Sequence, residues 1–173
     1  MEGKIIVYMN TAKKRLNYLG WDETFMLLSN LMAMRSKDPN SQIGACIVNK
    51  NNVIVGVGYN GFPRGCSDDV FPWDRESTNV LKSKYTYVVH AEANAILNAN
   101  KSVKNCKLYV NLFPCNECAK MIIQSGIKQV IYSNDKYKDL PVFKASKKML
   151  KHAGVKVTKY IPKNKIVLQT NDQ

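Results

Sequence analysis

The sequence predicts a layered α/β domain, and three observations carry that reading. β-rich runs recur from residue 43 onward, helix-period segments separate most of them, and turn chemistry closes nearly every run. Strands separated by helices favour parallel pairing, with the helices packed on the sheet. The chain of 173 residues fits one domain. It is long enough to bury about two-thirds of its unfolded surface. No repeat, low-complexity segment or linker interrupts it.

Residues 1–19 are basic and weakly patterned and read as an N-terminal arm or an added first element. Trp21 to Ser36 reads as a helix. Trp21, Phe25, Leu28, Met32 and Arg35 recur at helical spacing, and Asp22 and Glu23 suit the positive end of its dipole. Asp38-Pro39-Asn40-Ser41 ends it with turn residues. Ile43 to Asn49 and Val53 to Tyr59 read as strands of a hairpin, because asparagines in Lys50-Asn51-Asn52 tolerate positive φ. Asn60 to Gly65 is a loop, and the chain stays polar and irregular to Tyr87. So long a connection in a compact domain is usually functional or partly helical.

His90 to Asn100 is alanine-rich and helical, Lys107 to Leu112 is a strand, and Cys115 to Ser125 is a helix closed by Gly126. Lys128 to Ser133 is a strand. Val142 to Ala153 is a helix, with Val142, Met149, Leu150 and Ala153 on one face and Lys144, Lys147, Lys148 and Lys151 off it. Val155 to Ile161 is a last strand, ended by Pro162. The order is αββαβαβαβ. The domain then spans 20–162, with 163–173 as a tail.

Formal net charge is +13, from 26 basic and 13 acidic residues. Such a balance suits anionic partners, yet the lysines crowd a helix face that reads as solvated. Few aromatic residues interleave them, which argues against a single-strand-binding surface. The five cysteines show one close pair, Cys115 and Cys118. Cys46 sits in an apolar run and reads as a core thiol. This usage fits a reducing compartment. Ile5 to Met9 is too short for a signal-peptide core. No stretch approaches the roughly 18 apolar residues of a membrane span, so the expected location is the cytoplasm.

The chemistry concentrates in His90-Ala91-Glu92 and Pro114-Cys115-Asn116-Glu117-Cys118. One imidazole and two thiolates make three zinc ligands, and a three-ligand zinc keeps a position for water. Cys115 and Cys118 are three apart at a helix start, so both sulfurs face one point. A helix N-terminus also favours thiolate. Residues two apart on a helix point to opposite sides, so His90 and Glu92 converge only if His90 lies at or before the first turn. Both ligand segments are therefore expected to open helices whose starts meet at the metal. Zinc lowers the pKa of water to about 7, which suits attack on the amino-bearing carbon of a cytosine or adenine ring. Glu92 is placed to carry a proton from that water to the ring nitrogen and the departing ammonia. The motif pair His-x-Glu and Pro-Cys-x-x-Cys is the signature of zinc nucleobase deaminases. A closed structural zinc or a redox Cys-x-x-Cys leaves Glu92 unexplained. The second histidine, His152, reads as a surface residue of the lysine-rich helix.

Over residues 21–162 the chain resembles the deoxycytidylate (dCMP) deaminases. The resemblance rests on Arg35-Ser36-Lys37-Asp38-Pro39, Gln42 to Cys46, Gly58 to Gly61, Gly65 to Asp69, His90-Ala91-Glu92, Phe113 to Lys120 and Asp135-Lys136-Tyr137. The zinc motif is common to all cytidine-deaminase-like enzymes; the Gly61–Tyr87 segment with Ser67-Asp68-Asp69 points to the dCMP branch.

The resemblance implies a three-layer α/β/α sandwich around a five-stranded mixed sheet. It implies hydrolysis of dCMP to dUMP and ammonia, supplying thymidylate synthesis. It also implies a homohexamer activated by dCTP, with Mg2+ accompanying that effector, and inhibited by dTTP. His90, Cys115 and Cys118 would hold one Zn2+ per subunit, since spare histidines for a second are missing, and Glu92 would be the proton shuttle. Asn60 would meet the deoxyribose, the Ala91 backbone the pyrimidine carbonyl, and Arg35 and Tyr137 the 5′-phosphate. Gly61, Arg64, Gly65, Asp68 and Asp69 would contribute to the effector site. No membrane or nucleic-acid partner is expected, because the insert between Asn60 and His90 can cover the pocket mouth that a polynucleotide needs open. The alternatives are a deaminase acting on a base within tRNA or single-stranded DNA, and a non-enzymatic zinc-stabilised interaction module.

Overall fold

The computed structural model describes residues 13–75 and 78–162. Most of the expected N-terminal arm and the whole 163–173 tail lie outside the described residues.

Five strands form one mixed sheet in the order β2-β1-β3-β4-β5. β1 (Gly44–Val48) pairs antiparallel with β2 (Ile54–Tyr59) and with β3 (Lys107–Leu112). β4 (Gln129–Asn134) pairs parallel with β3, and β5 (Lys156–Lys159) parallel with β4. The β1–β2 turn places Asn52 at φ 59°, the positive value that its asparagine tolerates.

Strand alternation sorts the core into two faces. Cys46, Val48, Tyr109 and Ile131 pack with Phe25 and Met26 of α1 (Trp21–Ala33). Ala45, Ile47, Leu108, Val110 and Val130 face the opposite way. They pack under α2 (Ala91–Leu97), α3 (Asn116–Gln124) and α4 (Pro141–His152). The result is the expected three-layer arrangement, with helices on both sides of the sheet. Cys46 is fully buried, and burial pushes its thiol up to about 12.

α1 stops at Ala33 rather than Ser36. The next amides bond three residues back, Met34 to Leu31, Arg35 to Met32 and Ser36 to Ala33, the tightened turn common at helix ends. The face of α4 also differs from the sequence reading. Phe143, Ser146 and Leu150 are buried, whereas Val142 is 44% exposed and Ala153 is exposed. Phe143 and Leu150 bring the larger apolar surface and are spaced about two turns apart, so they set the rotation of the helix. His152, Lys144, Lys148 and Lys151 are exposed, as a solvated face requires.

Gly58 seats α2 against the sheet. A Cβ on it would lie 2.3 Å from the Ala95 nitrogen and 2.4 Å from the Ala91 carbonyl oxygen. The helix start that carries His90 and Glu92 is therefore held at backbone contact with β2.

Candidate active site

His90 is the N-cap of α2 at φ −73°, ψ 157°, and Cys115 is the N-cap of α3 at φ −72°, ψ 176°. Both are extended residues at helix starts, so His90 and Glu92 escape the opposed directions they would have within one helix. The His90 Nδ1 lies 3.4 Å from the sulfur of Cys115 and 3.4 Å from that of Cys118. All three donor atoms lie within 4.8 Å of one another. Zinc bonds of about 2.3 Å to sulfur and 2.0–2.1 Å to nitrogen, at tetrahedral angles, separate such atoms by roughly 3.5 Å. The donor set fits zinc in both chemistry and spacing.

The same proximity couples their protons. Hydrogen bonding from Cys118 and then from His90 holds the Cys115 thiol down at about 4, against the opposing effect of burial. The Cys115 hydrogen bond raises His90 to about 9. Cys118, which donates to Cys115 and is buried, is pushed well above the usual thiol range. Glu92 is 4% exposed in the first turn of α2. Burial raises its carboxyl, and the charge on His90 partly opposes this. A carboxyl that takes up a proton readily beside a metal site suits proton transfer.

These groups line a cleft of about 760 Å³. Asn60, 5% exposed, stands in its wall with both amide hydrogens and one of the two acceptor positions of its oxygen engaged. Its Oδ1 accepts from the Ile43 amide at 2.8 Å, and its Nδ2 donates to the Ser41 carbonyl at 2.9 Å and to Asp38 Oδ2 at 3.2 Å. Asp38 also accepts from Lys84 Nζ at 2.7 and 2.5 Å and from the Asn40 and Ser41 amides. Lys84 is 3% exposed, and both Asp38 and Lys84 line the cleft. The 61–87 insert carries two short 3₁₀ turns, Val80–Lys82 and Lys84–Thr86, and Lys84 opens the second. The long connection is thus partly helical and forms one wall of the cleft.

The sequence-derived candidates separate here. His90, Ala91, Glu92, Cys115, Cys118, Asn60 and Tyr137 all border the cleft. Arg35 is exposed beyond the end of α1 and is not part of the lining; the arginine that lines it is Arg75. Lys84 and Arg75 were not singled out in the sequence. A cation in a polar insert carries no local mark of burial or of facing a cleft. Burial pushes the Tyr137 phenol up, but bonds with Ser41 and Lys136 and the nearby Lys136 and Arg75 charges bring it below its ordinary value. Of the expected effector residues, Gly61 pairs with Val89 beside the cleft. Arg64 donates to Asn98 Oδ1 at 2.8 Å, Gly65 takes φ 86°, and Asp68 pairs with Lys37. Arg64, Gly65 and Asp69 are exposed.

A three-layer domain that joins two helix starts at a His/Cys/Cys site, with a buried glutamate beside it, is a zinc-dependent hydrolytic deaminase in class. Residues 19–134 match the cytidine and deoxycytidylate deaminase zinc-binding region, and the chain belongs to the cytidine and deoxycytidylate deaminase family. It is 59% identical over 160 residues to the deoxycytidylate deaminase of Homo sapiens, covering 91% of this chain and 90% of that protein. It is 56% identical over 162 residues to a probable deoxycytidylate deaminase of Drosophila melanogaster, covering 90% and 80%. The crystal structure of the dCMP deaminase of cyanophage S-TIM5 in complex with dCMP and dUMP superposes with a TM-score of 0.63 at 30% identity. That match covers 80% of this chain and 95% of the phage chain.

Proposed function

We propose that this protein hydrolyses dCMP to dUMP and ammonia and so supplies dUMP for thymidylate synthesis. The observation that carries the reading is Glu92, buried beside His90, Cys115 and Cys118 at a cleft whose other walls are Asn60 and the 61–87 insert. The relatives named deoxycytidylate deaminase and the phage enzyme bound to dCMP and dUMP support the choice of substrate.

His90, Cys115 and Cys118 would hold one Zn2+, which would supply a Lewis acid that lowers the pKa of water to about 7. Glu92 would accept one proton from the attacking water and deliver it to the ring nitrogen, then carry the second, from the hydroxyl left on the ring carbon, to the departing amine as the C–N bond breaks. The Ala91 amide, at the first position of α2, precedes the first intrahelical donor, Asn94. It is free to donate to the pyrimidine carbonyl. Both Asn60 amide hydrogens are committed to Ser41 and Asp38. Its contact with the sugar is therefore through Oδ1, as acceptor from a deoxyribose hydroxyl. Tyr137 borders the phosphate end, and Arg35, outside the cleft lining, is assigned no contact within its own subunit.

The regulatory reading extends this one. The enzyme is a cytoplasmic homohexamer of 20–162 domains with terminal extensions, activated by dCTP with Mg2+ and inhibited by dTTP. The loop of Gly61, Arg64, Gly65, Asp68 and Asp69 contributes the effector contacts. Full dCTP activation of Arg64→Ala at limiting dCMP would remove Arg64 from that role. The main test compares ammonia release from dCMP, deoxycytidine and a cytidine-containing oligonucleotide. Turnover of dCMP is the expected result. Release from the oligonucleotide but not from dCMP would assign the protein to the polynucleotide deaminases, and none from any substrate would favour a zinc-stabilised interaction module.

A further inference from the structure

The cleft has two side chains of permanent positive charge among its described lining residues, and their surroundings differ. Lys84 is buried, and both oxygens of Asp38 lie against it. Its charge is locally cancelled. Arg75 is exposed. Its Nε donates to the Tyr85 hydroxyl at 3.2 Å, and its guanidinium carbon lies 6.0 Å from the centre of the Tyr137 ring. Tyr85 and Tyr137 line the same cleft. Among the described residues, the ion pairs are Lys37–Asp68, Lys84–Asp38, Lys120–Glu117 and Lys147–Asp135, none of which involves Arg75. Lys136 adds a second positive charge there. Its Nζ lies 4.9 Å from the centre of the Tyr137 ring and 3.5 Å from Ser41 Oγ.

We propose that Arg75 binds the 5′-monophosphate of the nucleotide and makes the cleft prefer nucleotides over nucleosides. The inference rests on reading the cleft as a nucleotide site. With Nε committed to Tyr85 and a further side-chain hydrogen bond to Tyr137, the guanidinium still has terminal N–H donors to spare. They present the planar fork that matches two phosphate oxygens. The Tyr85 bond and the Tyr137 ring hold that fork in place before the ligand arrives, which lowers the ordering cost of binding. Lys84 cannot take this role, because drawing its ammonium to a phosphate would leave Asp38 buried without its counter-charge. A nucleoside lacks the dianion and gains nothing from Arg75, so the residue acts on specificity.

Binding of dUMP and of deoxyuridine to the zinc-loaded protein tests this without turnover, by calorimetry on wild type, Arg75→Gln and Arg75→Lys. The wild type is expected to prefer dUMP by about a hundredfold, since a charge-assisted bidentate phosphate contact is among the stronger polar interactions. Arg75→Gln should lose most of that preference. Arg75→Lys should recover part of it, as a point charge without the fork. Mere structural damage would weaken both ligands together and leave the ratio unchanged. An unchanged ratio in Arg75→Gln, or no preference in the wild type, overturns the inference. Deamination of dCMP, assayed on the same wild-type sample, separates the two readings. A nucleotide preference abolished in Arg75→Gln, with no dCMP turnover in the wild type, would sink the proposed function and leave the phosphate site standing.

Discussion

Lys84 Nζ lies 2.7 and 2.5 Å from the two carboxylate oxygens of Asp38, 46 residues earlier in the chain. Both side chains are almost fully buried, at 4% and 2% exposure. The pair ties the 61–87 insert to the turn after α1, and through Asp38 it also fixes the Asn60 amide. Removing one partner of such a pair leaves a buried charge without compensation, at a cost of about 3–5 kcal/mol. Lys84→Met is therefore expected to lower the urea midpoint and to weaken dCMP turnover. Lys84→Met with Asp38→Asn should recover much of the stability. Wild-type stability in the single variant would mean that the pair is not buried in solution.

Glu92 lies in the cleft outside the His90/Cys115/Cys118 group, and the proposed mechanism gives it the proton transfers. Glu92→Gln should keep zinc at the wild-type stoichiometry. It should lose about 10²–10⁴-fold in kcat, the usual contribution of a positioned proton carrier. Metal analysis and dCMP turnover on one sample check both halves. Retained activity would show that the proton travels by another route.

Zinc binding should release protons. In the metal-free protein His90 sits at about 9 and Cys118 well above its ordinary value, while Cys115 is already a thiolate near neutrality, at about 4. At pH 7 both His90 and Cys118 hold protons that a metal must displace, so about two should be released per zinc. The sign follows directly. Lowering the pH favours the protonated ligands and weakens zinc, and raising it toward 9 removes competition at His90. Calorimetry in buffers of different ionisation enthalpy measures the release. A proton-independent zinc affinity between pH 6 and 9 would contradict the coupling.

Gly58→Ala should disturb the site from the far side of α2. The added methyl would meet backbone atoms of Ala91 and Ala95 at 2.4 and 2.3 Å, and backbone cannot rotate away. Overpacking of this kind costs about 1–3 kcal/mol. The helix start bearing His90 and Glu92 should shift, lowering kcat and zinc affinity together. Normal values of both would show that α2 has slack over β2.

The sequence by itself determined the element order, the Asn52 turn and the gathering of His90, Glu92, Cys115 and Cys118 at two helix starts. These are short-range matters. Alternation and helical spacing report local burial, and a Cys-x-x-Cys at a helix start converges by backbone geometry alone. The need for His90 to precede its helix followed from a two-residue spacing, and the N-cap dihedrals agree.

Only the tertiary structure decided which cations line the cleft. Arg35 lies in a stretch that resembles the family, yet it is exposed and outside the cleft lining, while Arg75 and Lys84, in an irregular insert, line it. The rotation of α4 was decided the same way, by Phe143 and Leu150 against the sheet rather than by Val142 and Ala153. A charge partner 46 residues away, or the side a helix turns inward, depends on which surfaces meet after the chain has packed. No local pattern of residue types records that meeting.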